Sequence, residues 1–126
     1  MSEMVRRKSG DRPAKEIASA FRPGVMTVVT LGNPREKFWG RVLSLTLEGL
    51  SISGVDLPSM EDVATMVKNG EPFTPAVVFF PMHRVERVEV DGPEGGLPSL
   101  TERFVARTGV YPSTLFAAGV RRKDLA

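Results

Sequence analysis

The stretch Lys37-Phe38-Trp39-Gly40-Arg41-Val42-Leu43-Ser44-Leu45-Thr46 decides the fold. Its aromatic, branched and apolar residues suit a strand, and Gly40 sits in the middle, where a strand-interior glycine marks a sharp bend, a bulge or a close backbone approach. A strand bent at its centre is what a sheet needs in order to curl on itself. Working outward, Val25 to Leu31 is rich in Val and Thr, and Gly32-Asn33-Pro34-Arg35 separates it from 37–46 with turn residues, so the chain should fold back there. Thr46-Leu47-Glu48-Gly49 supplies the next reversal, and Leu50 to Leu57 follows as a third strand. The three strands form an antiparallel meander.

Beyond the meander, Ser59-Met60-Glu61-Asp62 opens a helix with a Ser cap and two carboxylates in its first turn. Val63, Met66 and Val67 give that helix one apolar stripe before Gly70 ends it. Ala76-Val77-Val78-Phe79-Phe80 is the most apolar run in the chain and reads as a fourth strand, near 76–81, covered on both faces. Pro81-Met82-His83-Arg84 breaks it, and a fifth strand is expected over 85–91. The break is too short for a crossover helix, so a tight corner joins the two. Upstream, Ala14 to Phe21 is a short helical segment stopped by Pro23-Gly24. Downstream, Ser99-Leu100-Thr101-Glu102 matches a capping box, predicting a helix to about Thr108 with Gly109 as its stop. After Pro112 the periodicity fades. The spacing divides the chain into a polar, aperiodic and disordered arm at 1–13, a β domain at 14–91 with a helical insert near 59–69, and a C-terminal helix and basic tail at 92–126.

Composition narrows the function. The chain has 126 residues, no Cys, one His, one Tyr and one Trp. That length suffices for one compact core without a disulfide or metal staple. The lack of Cys removes disulfides, thiolate nucleophiles, zinc ribbons and iron–sulfur ligation, and a reducing, cytoplasmic setting is expected. The first residues are charged where a signal peptide would be apolar, and no apolar run reaches the roughly 20 residues that span a bilayer, so no membrane partner is expected. Residues 1–24 carry six basic and three acidic side chains, 25–98 six basic and ten acidic, and 99–126 five basic and two acidic. Basic ends flank an acidic middle. Arg6-Arg7-Lys8 and Arg121-Arg122-Lys123 read either as solubilising tails or as arms for nucleic acid.

The order of elements, a meander, an insert and two strands joined by a near-immediate corner, fits a small, strongly bent five-stranded antiparallel barrel with short flanking helices. Phe38-Trp39-Gly40-Arg41-Val42-Leu43-Ser44-Leu45 resembles the second strand of the first motif of the Sm-like family, which includes Sm and LSm proteins and bacterial Hfq. Val78-Phe79-Phe80-Pro81-Met82-His83-Arg84-Val85-Glu86-Arg87-Val88 resembles the second motif, in which an apolar fourth strand passes through a one-turn corner into the fifth. The resemblance covers residues 14–91. It implies a cyclic homo-oligomer in which strand four of one subunit pairs with strand five of the next, through Val78, Phe79, Phe80 and Val88. It also implies single-stranded RNA contacts from His83, Arg84, Met82 and Arg41, with Arg35 and Lys37 flanking the aromatic pair. The family's loop Asp and Asn are missing from Thr46-Leu47-Glu48-Gly49, and the corner Tyr-Lys-His is here Pro81-Met82-His83. Weak, salt-sensitive RNA binding, rather than base reading, is the corresponding expectation.

Catalysis has little to work with. A nucleophilic Ser needs a base and an oxyanion hole, and Ser51 and Ser53 have no Gly-x-Ser-x-Gly elbow and no second His to serve them. His83 lacks partners at metal-ligand spacing, so neither a metal nor a cofactor is expected, and the reading is non-enzymatic. Because adjacent strand residues face opposite ways, one of Phe38 and Trp39 is expected in the core and the other exposed or at an interface. Two alternatives stand beside the ring. One is a scaffold whose added helices recruit a protein partner. The other is a barrel resembling PilZ nucleotide sensors, although Arg7 and Arg12 have the wrong spacing for its Arg pair and Leu50-Ser51-Ile52-Ser53-Gly54 lacks its Asp.

Overall fold

The computed structural model describes residues 19–117. Five strands make one antiparallel sheet: β1 Met26–Leu31, β2 Glu36–Leu45, β3 Gly49–Asp56, β4 Ala76–Pro81 and β5 Val85–Val90. Each lies within about one residue of its expected bounds. Helix α1 (Met60–Lys68) follows β3, and α2 (Leu100–Thr108) and α3 (Pro112–Ala117) follow β5. Of the segment expected to be helical at 14–21, Ser19–Phe21 forms a single 3-10 turn. The rest of that segment, the arm at 1–13 and the basic tail from 118 lie outside the described residues.

The strand order is β4-β3-β2-β1-β5. Laid flat, its outer strands would stand about 19 Å apart, four strand spacings. They are joined only by the 3-10 turn Met82–Arg84, which advances about 6 Å. The sheet must therefore curl, and the hydrogen bonds at the corner show where its ends meet. Met82 N donates to Glu48 O of the β2–β3 turn at 2.8 Å, and Gly32 N of the β1–β2 turn donates to Arg84 O at 2.8 Å. Curling stops short of closure. The expected closed barrel is not formed, because the corner draws the two edges together at one end only and β4 and β5 share no ladder. Among the described residues, each of the two strands has an edge with no partner strand.

The bend runs through Gly40 and Gly54, which face each other across β2 and β3. A Cβ on Gly40 would lie 2.6 Å from Ser53 O, and one on Gly54 would collide with Trp39 O. Either side chain would wedge the two strands apart. The bulge between Val42 and Ser44 adds curvature further along.

Two apolar cores result, one on each face. Inside the curl lie Val29, Leu31, Phe38, Val42, Leu50 and Ile52, with Val78, Phe80, Val85 and Val88 packed around them. On the outer face Met26, Trp39 and Val55 meet Met60, Val63 and Ala64 of α1, Phe104 of α2 and Phe116 of α3. Phe38 and Trp39 do face opposite ways, but both are buried, which corrects the expectation that one would be exposed. The reason is the helical layer: Trp39 lies against Phe104 and Phe116 at centroid distances of 5.5 and 5.4 Å. Helix α2 has the expected capping box, with Ser99 Oγ accepting from Glu102 N at 3.0 Å and Glu102 Oε1 accepting from Ser99 N at 2.7 Å. Gly109 closes it at φ 76°. Helix α3 was not expected from the sequence.

Candidate functional site

The sequence-derived residues separate into a strand edge and a corner. On β4, alternation sends Val78 and Phe80 into the inner core and leaves Val77 and Phe79 on the outer face, 52% and 53% exposed. The expectation that this strand is covered on both faces is thereby corrected. The helices cover the outer face only as far as Ser53, whose Oγ donates to Phe116 O at 2.7 Å, and β4 lies beyond them. Phe79 leans over Gly49, where a Cβ would overlap its ring. At the other edge, Val88 packs inward while Arg87 and Glu89 pair with each other at 3.0 Å.

The corner gathers Met82, His83 and Arg84 beside the β1–β2 turn that carries Arg35. Met82 and His83 are exposed. Arg84 is turned inward: Nη1 donates to Gly32 O at 2.9 Å and to Pro34 O at 3.1 Å, Nη2 lies 3.5 Å from Glu36, and 19% of its side chain is exposed. Arg35 lies 3.9 Å from Glu86. Lys37, exposed at the start of β2, lines a shallow groove with Arg35, Asp56, Leu57 and Pro58. Arg41 lies apart from these residues, on the outer face, where Nη1 donates to Ser113 O at 2.6 Å near the start of α3. Two of the six candidate RNA contacts, Arg84 and Arg41, thus also stitch the fold.

The sequence analysis did not single out the residue at the tip of the β2–β3 turn. Leu47, 96% exposed, tops the β2–β3 turn, next to Glu48, whose carbonyl takes the Met82 amide. The signal was present as an apolar residue at a turn tip. Sequence reasoning also missed Asp91, which ties the outer core together. Its carboxylate accepts from Trp39 Nε1 at 3.1 Å, Leu100 N at 3.0 Å, Thr101 N at 2.8 Å and Thr101 Oγ1 at 2.7 Å. An Asp eight residues before a capping box is weak sequence evidence of such a contact.

Among the described residues no three side chains of the metal-binding types converge, and no helix is long and apolar enough to cross a membrane. No family model, no curated protein and no solved structure matches this chain.

Proposed function

We propose that this chain is a non-enzymatic, Sm-like subunit that assembles with copies of itself into a closed ring through β4 and β5. The observation that supports this most is the pair of sheet edges that have no partner strand among the described residues, one of them without a single charge and bearing exposed Val77 and Phe79. Such an edge is ordinarily blunted by charge, proline or a covering element, and of these β4 itself carries only Pro81, at its corner end. Pairing β4 of one copy with β5 of the next satisfies the backbone groups of both edges, and repetition around an axis leaves none exposed. These are the same two strands through which the Sm-like family closes its rings.

Single-stranded RNA is the proposed ligand, held weakly through Arg35, Lys37, His83 and the basic ends of the chain. Affinity for nucleic acid comes mainly from neutralised phosphates and falls with salt. With Arg84 and Arg41 engaged by backbone carbonyls, the ends supply much of the available charge. The test is fluorescence anisotropy of labelled oligo(A) and oligo(U) at low and moderate salt. Deleting residues 1–12 and 120–126 should weaken binding about tenfold or more, while Arg84→Ala should weaken it modestly. The inward turn of Arg84 and Arg41 favours a second reading, a ring that serves as a protein scaffold without RNA. No anisotropy change for the full chain, even at low salt, would select that reading.

A further inference from the structure

A cavity of about 240 Å³ borders the C-terminal end of β5, walled by Val28, Leu57, Val90, Leu97, Pro98 and Leu100. Leu97 at its lip is 70% exposed. The carboxylates beside it are already engaged, Asp91 by Trp39, Leu100 and Thr101 and Glu89 by Arg87, while Glu94 faces solvent. The hollow is thus lined by both polar and apolar groups, and Val28, Leu57, Val90, Leu97, Pro98 and Leu100 are the part of it against which an apolar occupant would pack. The hollow opens to solvent, and its volume is larger than the about 150 Å³ of an enclosed cavity that holds benzene, so a phenyl ring fits within it.

The matching ring stands at the opposite edge. Phe79 projects from the outer face of β4, and the cavity, bounded by Val28 and Asp91, lies on the outer face of the sheet beside β5. When two edges pair, opposed side chains share a face. Matching outer face to outer face keeps Val78 and Phe80 continuous with Val85 and Val88, whereas the reverse would set Arg87 and Glu89 against the inner core. The outer-to-outer arrangement brings Phe79 of one copy to the cavity side of the next. Area makes the same demand. A six-residue edge about 20 Å long and 10 Å thick presents about 200 Å², and a stable contact needs about 800 Å² per partner. Strand pairing alone falls short, and an aromatic anchor in a pocket is the usual supplement.

We propose that Phe79 of one copy inserts into the cavity beside β5 of the next copy, so that the subunit contact is a strand pairing locked by an aromatic knob. The proposal rests on the β4–β5 assembly above and adds its anchor. The chain has no Cys, so introduced thiols report cleanly. In the double variant Phe79→Cys/Leu97→Cys, a short bismaleimide should give a ladder of covalent oligomers on denaturing gels. The pair Phe79→Cys/Ala106→Cys should not, because Ala106 is exposed on α2 and lines no part of the cavity. Both changed sites are exposed, so folding is retained, which circular dichroism verifies. Phe79→Ala should raise the concentration at which oligomers dissociate about tenfold. If the full chain and the double variant form oligomers by light scattering but no ladder appears, the knob is wrong and the assembly stands. If the unmodified chain is monomeric, both fall.

Discussion

Gly40 and Gly54 face each other across β2 and β3 with no room for a methyl group, so the curl of the sheet depends on two hydrogens. We expect Gly54→Ala to destabilise the protein by about 3 kcal/mol, because the obstacle is backbone, Trp39 O and Gly40 Cα, which cannot swing aside as a side chain tip would. Urea unfolding measures this, and a variant as stable as the parent would show that the bend has another origin. Gly40 was readable from its place in an apolar strand. Gly54 was not singled out, because its role exists only once the register places it opposite Gly40. Asp91 is similar: its four donors come from β2 and α2, far apart in sequence. Asp91→Ala leaves a buried indole N–H and two helix-start amides without their acceptor, and should cost about 2–3 kcal/mol.

Strands and caps were the most legible elements, because alternation, turn residues and the Ser99/Glu102 box are local signals. Helix α3 was missed, since six residues hold too little periodicity to register. Its hints were Pro112 at the first helical position and Leu115-Phe116 after it. Tertiary packing makes it helical: Phe116 is fully buried edge-on to Trp39, its carbonyl takes the Ser53 hydroxyl, and Arg41 holds the carbonyl of Ser113. The same helix, with α1 and α2, turns the second face of the sheet into a core and buries Trp39, while Phe38 is buried on the inner face. We expect Phe116→Ala to cost about 3–5 kcal/mol. Trp39 is the single Trp, so its emission should shift to longer wavelength as water reaches the indole. An unshifted spectrum would mean that α3 does not shield it.

Seen whole, the molecule has a sheet with an apolar core on each face, a β4 strand that reaches past the helical layer and, among the described residues, an unpaired edge on each side. The sequence could not show this, because the openness of the sheet follows from the three-residue corner, which brings β4 and β5 together at one end without pairing them. Nor could it show that the cations read as RNA contacts divide between the exposed Arg35 and Lys37 and the structural Arg84 and Arg41. Among the described residues Val77 and Phe79 stand open on an uncharged strand, and the proposed cover is the β5 edge of another copy. The direct measurement is multi-angle light scattering of the full chain across low to tens of micromolar concentrations. The ring reading requires one defined species whose mass is an integral multiple, three or more, of the 13.8 kDa chain, unchanged as concentration varies. A mass of 13.8 kDa throughout that range would contradict it.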